Sequence, residues 1–229
     1  GSEFGYTLLW VIFASNLIAI LVQAMAAKLG IATGRNLAEQ CRAHYPRWAC
    51  YALWVMMEIV AIATDLAEFL GAAVGLELLF GLPLWLGGIV TAIATFFILG
   101  LERYGFRPLE AVITGFVAVV ALSYLVETFL DKPDWAALAA SFAPPRLPGA
   151  EGALLAAGIL GATVMPHAIF LHSALTQNRM RPADGKGLKR LFRFELVDVF
   201  VAMGVASFVN AAMLVMAAST FNRNGLHNV

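Results

Sequence analysis

An apolar run of 24 residues without Lys, Arg, Asp or Glu, Gly152–Leu175, constrains this chain most, because Pro166 lies near its middle. A helix of that length would be about 36 Å long and could cross a bilayer. Proline lacks a backbone donor and clashes with the preceding turn, so it predicts a break in this helix. Within a bilayer, carbonyl groups exposed at such a break must be satisfied by protein or by a watery cavity.

The two neighbours of the proline are Met165 and His167, whose thioether and imidazole groups both bind transition metals. Ligand groups at the break of a membrane helix are typical of the substrate site of an ion transporter. The residues alone also allow a simple proline kink with a packed methionine and a hydrogen-bonded histidine. His172 follows His167 by five residues and would point about 140° away on a helix, so the two cannot bind one ion together.

The composition predicts an all-α integral membrane protein. Hydrophobic residues make up 61% of the chain, charged residues 13%, and the mean hydropathy is +0.80. A soluble domain would carry about twice that share of charge. The net charge is zero, which gives no electrostatic support for nucleic-acid binding. We expect a single transmembrane domain over 1–229 with six spans, the fifth broken at Met165-Pro166, at about 6–27, 48–80, 84–101, 109–130, 154–175 and 196–218.

The loops that follow the first, third and fifth spans hold 12 of the 15 Lys and Arg residues. Cytoplasmic loops carry such an excess of positive charge. We therefore predict a multi-pass protein of the cell (inner) membrane with these loops in the cytoplasm. The first span then enters from outside, so we expect at least one further span upstream of Gly1.

Three acidic residues, Glu58, Asp65 and Glu68, occupy the second span at spacings of seven and three residues. These spacings place them on one helix face. Each would cost about 2.5–3.5 kcal/mol in hydrocarbon, so the face must meet water or polar partners. A route for protons or cations is one interpretation, and a hydrogen-bonded cluster joining this span to a neighbour is the other.

Several segments resemble the Nramp family of proton-coupled divalent metal transporters, and they follow one another in the order expected for it. The segment from Ala162 to Gln177 is similar to the sixth-span motif of that family, and Ala63–Glu68 and Phe80–Pro83 resemble its third span and the following turn. The resemblance implies a LeuT-like fold of inverted repeats, of which this chain would hold spans two to seven. The first span, with its metal-binding motif, and the later spans would lie outside it.

The resemblance also implies roles for individual residues. The Met165 side chain and the Ala162 carbonyl would bind the metal, and the missing spans would supply its other ligands. Thr163 and Asn210 would lie near the outer gate. The proton pathway would contain His167, His172, Glu58, Asp65 and Glu68.

The function implied is import of divalent metal ions by alternating access, with Mn²⁺, Fe²⁺, Co²⁺ or Cd²⁺ as substrate and H⁺ as coupling ion. No permanently bound cofactor and no enzymatic activity are expected. Two alternatives stay open at this point. One is a LeuT-like carrier for an organic substrate such as an amino acid. The other is a membrane-embedded metalloenzyme, although no closely spaced ligand motif such as HExxH occurs.

Overall fold

The computed structural model describes residues 3–100, 103, 106–131, 133–141, 147–177 and 185–222. These residues form α-helices joined by short connections, and no strand occurs among them. The helices are α1 (Leu9–Thr33), α2 (Leu37–His44), α3 (Arg47–Phe80), α4 (Leu84–Gly100), α5 (Phe106–Asp131), α6 (Trp135–Ala140), α7 (Gly149–Thr163), α8 (Pro166–Gln177) and α9 (Gly185–Ala217), which a π-helical turn, Ala218–Asn222, follows.

The predicted all-α membrane architecture is confirmed. Five segments are long and apolar enough to cross a membrane, namely α1, α3, most of α5, α7 with α8, and α9 with the following turn. The remaining predicted span, the third, corresponds in position to α4, a shorter apolar helix of 17 residues. Its predicted end, Leu101, lies outside the described residues. The short helices α2 and α6 occupy connections for which no helix was predicted.

The start of α9 differs most from the predicted bounds. The helix begins at Gly185, whereas the apolar pattern marked a span from Leu196. Hydropathy locates the part of a helix that suits hydrocarbon, and Lys, Arg and Leu continue a helix readily beyond that part. Consequently α9 has 33 residues and a length of about 50 Å.

The chain divides into two compact units, and each is described by itself. Unit 1 comprises Gly1–His44 and Val120–Val229, and unit 2 comprises Tyr45–Val119. The prediction that 1–229 forms one transmembrane domain stays a prediction.

Helix α1 is the centre of unit 1 and packs against α7, α8 and α9. Its first turns meet the end of α9 in a buried core formed by Leu8, Leu9, Val11, Ile12, Leu214 and Val215, with Ile159 of α7 and Ala211 packed against it. Because the start of α1 meets the end of α9, these two helices run antiparallel. The end of α1 meets the end of α8 at Gly30, so α1 and α8 run parallel.

Gly30 brings α1 and α8 into close contact. A Cβ atom at this position would lie 2.7 Å from the Ser173 carbonyl oxygen and would also overlap the Thr176 hydroxyl. Ser173 and Thr176 are buried, and the Thr176 hydroxyl lies 3.0 Å from both the His172 and Ser173 carbonyls, to which it can donate. The small residue therefore permits backbone contact between helices, as small residues do in membrane proteins.

A compact turn then ties α2 to α8. Gly34 ends α1 in the left-handed conformation at φ 68°, and Asn36 and Glu39 exchange side-chain to backbone hydrogen bonds of 2.9 Å. This reciprocal pair is a capping box, which fixes the start of α2. The Leu37 amide, left without a partner in the helix, donates to the Ser173 hydroxyl at 3.0 Å. The end of α8 is thus held by both α1 and α2.

Unit 2 contains a helical hairpin of α3 and α4. Gly81 ends α3 in the left-handed conformation at φ 67°, and its amide donates to the Glu77 carbonyl at 2.8 Å. The two helices approach closely at Gly87, where a Cβ atom would lie 2.8 Å from the Ala73 carbonyl oxygen. The glycine turn and this contact fix the pairing of the two helices.

Substitution of Gly30 by alanine should destabilise the protein by about 1–3 kcal/mol, because the added methyl group must displace backbone of α8. Gly204→Ala in α9 is the matched control, since nothing lies within 4 Å of its Cβ position. That control should be neutral or stabilising by up to about 1 kcal/mol through helix propensity. Thermal unfolding of the purified variants measures both effects. A rise in melting temperature for Gly30→Ala would contradict the close contact.

Candidate metal-ion site at the helix break

The helix break lies at Val164 and Met165. Val164 leaves the helical conformation, at φ −98° and ψ 72°, while its amide still donates to the Leu160 carbonyl at 2.8 Å. Pro166 is the first residue of α8, a position where the missing N–H removes no helical hydrogen bond. The predicted break is confirmed. It comprises Val164 and Met165, directly before Pro166, because proline is favoured as the first residue of a helix.

Pro166 accounts for one of the carbonyls that the break leaves without a helical donor. In a continuous helix, the residue at position 166 would donate its N–H to the carbonyl of Ala162, four residues earlier. Proline has no N–H to give, so this acceptor loses its helical donor. Ala162 lies in the last turn of α7 and is exposed. Its carbonyl oxygen is therefore available to a water molecule or a cation.

The helix dipole at this end of α7 favours a positive charge. The last four carbonyls of a helix have no helical partner and carry a partial negative charge. At this end, Val164 satisfies the Leu160 carbonyl, while the Ala162 carbonyl points onward without a helical donor. The C-terminal end of a half-helix next to unwound backbone is a suitable binding place for a cation.

The side chains beside the break add one soft ligand and one imidazole. Met165 is half-buried, and its carbonyl accepts the Ile169 amide at 3.3 Å, so it caps the start of α8. His167 is half-buried as well, and its Nδ1 atom is buried without a hydrogen-bond partner among the described residues. A buried polar atom in this state needs a partner from elsewhere, such as water or another part of the protein.

The two predicted gate residues are Thr163, at the end of α7, and Asn210, on α9. The Thr163 hydroxyl donates to the Ile159 carbonyl at 2.8 Å, within its own helix. Asn210 is half-buried on α9 and precedes Ala211, which packs on the same core as Ile159. Since Ala211 packs on the core that includes Ile12, Asn210 lies at about the depth of the first turns of α1.

His172 lies one and a half turns beyond His167 on α8, where it is half-buried. It directly precedes Ser173, which contacts both α1 and α2. The structure thus places His172 in the anchored end of α8 and His167 in the turn at the break. The two residues are five positions apart on α8, so their imidazole side chains point about 140° apart, as the sequence predicted.

The three acidic residues are in unit 2. Glu58, Asp65 and Glu68 all lie on α3, and all are exposed there. The helix carries them within an arc of about 80°. Because charged groups do not face hydrocarbon without a large cost, this face must meet water or protein other than α4. Their shared face agrees with the sequence prediction, and their role on a proton route stays a prediction.

The described residues supply only part of a metal site. No group of three or more His, Cys, Asp or Glu residues among them could hold an ion. One thioether and one backbone carbonyl fall short of the four to six ligands that divalent metals usually take. Further ligands would have to come from other parts of the protein or from water.

Some features of the site region carried no sequence signal strong enough to predict them. Ser173 and Gly30 are ordinary small residues of apolar helices, and only their contact across α1 and α8 gives them a role. Ser15 and Asn16 of α1 are buried, and the Asn16 amide donates to the Ile12 carbonyl at 2.8 Å. The depth of Asn210 follows from the pairing of α1 with α9, which one sequence does not reveal.

The described fold and site are those of a multi-pass membrane protein in which one helix is interrupted at a place that can accept a cation. The sequence model of the family described as natural resistance-associated macrophage protein-like, or Nramp, matches residues 1–229. The chain therefore belongs to the Nramp family, and the resemblance predicted from its motifs is confirmed.

Named relatives and solved structures agree with this assignment. The chain is 51% identical over 226 residues to the divalent metal cation transporter MntH of Bacillus subtilis, a match that covers 99% of the chain and 53% of the relative. The MntH protein of Deinococcus radiodurans is 50% identical over 228 residues, with 100% and 52% covered. The chain thus spans about half the length of the curated relatives it matches.

A crystal structure of a mutant of the Eremococcus coleocola manganese transporter superposes with a TM-score of 0.83 at 36% identity, covering 96% of this chain and 46% of that one. The same transporter in complex with an aromatic bis-isothiourea substituted compound gives 0.82 at 37% identity, with 95% and 46% covered. The LeuT-like fold class is thereby confirmed. The relatives are named as transporters, not enzymes.

Proposed function

We propose that the whole protein imports divalent transition-metal ions together with protons across the cell (inner) membrane. The observation that carries this proposal is the helix break, where Pro166 frees the Ala162 carbonyl beside the Met165 thioether. The names of the relatives, divalent metal cation transporters and a manganese transporter, support the same substrate class.

The chemistry of the two ligands favours transition metals as the cargo. A thioether is a soft ligand that suits Mn²⁺, Fe²⁺, Co²⁺ and Cd²⁺ better than the hard ions Mg²⁺ and Ca²⁺, which prefer shells made wholly of oxygen. The Ala162 carbonyl binds any of these cations and contributes little to the choice among them. Met165 is therefore the proposed selectivity residue, and parts of the protein beyond this chain complete the shell.

The break also suits a change of access. The end of α8 is fixed to α1 through Gly30 and to α2 through the Leu37–Ser173 hydrogen bond. No continuous helix runs through Val164 and Met165, so the backbone at the break does not hold α7 in line with α8. We expect α8 to move with α1 and α2, and α7 to change its angle at Val164. Hinges of this kind, at the ends of helices, absorb the backbone change in domain motions.

Protons would use the acidic face of α3 and the imidazole at the break. Glu58, Asp65 and Glu68 give a row of carboxylates along about three turns of one helix face, and such rows mark proton relays in membrane proteins. His167 lies two residues from the proposed ligand Met165, and the buried Nδ1 atom of its ring needs a partner. We propose that it links ion binding to proton movement, with Thr163 and Asn210 closing the external side of the site and His172 lying on the proton route.

Met165→Ala in the full-length protein should lower discrimination against Ca²⁺ more than it lowers Mn²⁺ transport. Water can replace the lost sulfur around Mn²⁺, whereas the hard ions gain an oxygen in place of a poorly matched ligand. The affinity for Cd²⁺ should fall by about tenfold, or about 1.4 kcal/mol. Competition of Ca²⁺ and Cd²⁺ against Mn²⁺ uptake in proteoliposomes measures these changes.

Met203→Ala is the control for a general packing effect, because Met203 is another half-buried methionine, on α9. It should leave the order of ion preference unchanged. An unchanged ratio of Ca²⁺ to Mn²⁺ uptake in Met165→Ala would remove Met165 from the coordination shell. The Nramp assignment would still stand in that case.

Neutralisation of the acidic face should reduce proton flux more than metal binding. In Asp65→Asn and Glu68→Gln, metal-driven acidification of vesicles should fall by about tenfold, equal to about 1.4 kcal/mol in the barrier. The physical reason is the loss of a titratable group from a face that cannot meet hydrocarbon. Glu77→Gln is the control, since Glu77 is exposed on α3 but lies about 100° away from Glu58. Normal acidification in both test variants would make the acids structural.

A further inference from the structure

The first turns of α9 carry a row of exposed positive charges. Lys186, Lys189, Arg190 and Arg193 are all exposed, and their spacings of three, one and three residues place them within an arc of about 100°. They belong to the part of α9 that precedes its predicted apolar span. We call these four residues the basic stripe.

No carboxylate opposes the basic stripe on its own helix face. Glu195 is the acidic residue of α9 nearest to it, lies on the opposite side of the helix and is only 1% exposed. Asp198 is exposed, but it points about 80° or more away from every member of the stripe. Among the described residues of α9, no carboxylate therefore shares the face of the stripe.

The same face continues into exposed apolar side chains. Phe194 is 58% exposed, and Val197, Phe200 and Val201 below it are exposed to a similar degree. Their directions fall within or close to the arc of the stripe. A helix face that changes from basic to apolar along its length fits the boundary between lipid headgroups and hydrocarbon.

Helix length gives the depth of each charge. Residues 197–217 of α9 span about 30 Å, the thickness of the hydrocarbon core. If they fill it, Arg193 and Arg190 lie about 6 and 10 Å outside along the helix axis, at headgroup depth. Arg190 is also held there by a ring contact, because its guanidinium carbon lies 5.5 Å from the centre of the Phe194 ring.

We infer that the basic stripe binds the phosphate groups of anionic phospholipids in the leaflet at the α2 end of unit 1. Antiparallel packing of α1 and α9 puts the start of α9 at that end, close to the anchored end of α8. A guanidinium group suits phosphate because it donates two parallel hydrogen bonds. Lipid is the occupant that matches both parts of the face, the charged part and the apolar part.

Lipid binding by the full-length protein tests this inference. Native mass spectrometry in detergent would compare phosphatidylglycerol with phosphatidylcholine for the unchanged protein and for Arg190→Gln/Arg193→Gln. Each basic residue near a membrane surface contributes about fivefold, so the double variant should bind phosphatidylglycerol about thirtyfold more weakly. Its binding of phosphatidylcholine should not change.

Two further variants keep the result specific. Arg42→Gln/Arg47→Gln removes the same number of exposed arginines from α2 and the start of α3, and it should weaken phosphatidylglycerol binding less than Arg190→Gln/Arg193→Gln does. Arg190→Lys/Arg193→Lys should retain most of the binding, which excludes misfolding as the cause of the loss. An unchanged protein without preference for phosphatidylglycerol, or an equal loss in the two glutamine variants, would overturn the inference. The first outcome would mean that the stripe contacts water or another segment of the protein instead of lipid.

Discussion

Every backbone carbonyl inside a bilayer needs a partner, and this requirement organises the whole of unit 1. A proline in mid-span violates it at Ala162, which loses the N–H that residue 166 would otherwise give. The chain meets part of the requirement locally, since Val164 still donates to Leu160 and Met165 accepts from Ile169. The Ala162 carbonyl oxygen, at the negative end of α7 and next to a thioether, is left without a helical donor. A cation can satisfy that oxygen, so the structural defect and the proposed ion site have one cause.

The neighbouring helices keep the break in one place. A broken helix has no continuous ladder of hydrogen bonds to align its halves, so packing must do so. Gly30 allows α1 to touch the backbone of α8, and the Leu37 amide bonds to Ser173. The other half, α7, packs on the core at the opposite end of α1 through Ile159. While α8 stays fixed to α1 near Gly30, a change of angle at Val164 must shift α7 on the core at the start of α1.

The sequence allowed the class of fold and the centre of the site to be predicted, because both depend on local chemistry. Pro166 in an uncharged run marks the break, and the spacings of Glu58, Asp65 and Glu68 set their common face without any tertiary information. The remaining features depend on pairing between distant segments. Nothing local distinguishes Gly30 from the other glycines of the apolar helices, and Ser173 receives a role only from Leu37. The early start of α9 was missed because hydropathy describes the hydrocarbon region, whereas the helix extends beyond it with basic residues.

Manganese binding to full-length Pro166→Ala, measured by titration calorimetry, tests the central claim most directly. Alanine restores an N–H at position 166, which can donate to the Ala162 carbonyl and close the break. We predict a loss of Mn²⁺ affinity of at least about tenfold, or about 1.4 kcal/mol. Pro46→Ala, at the start of α3, is the control for the loss of a helix-flanking proline and should bind normally. Unchanged Mn²⁺ affinity in folded Pro166→Ala would contradict the claim that this break makes the ion site.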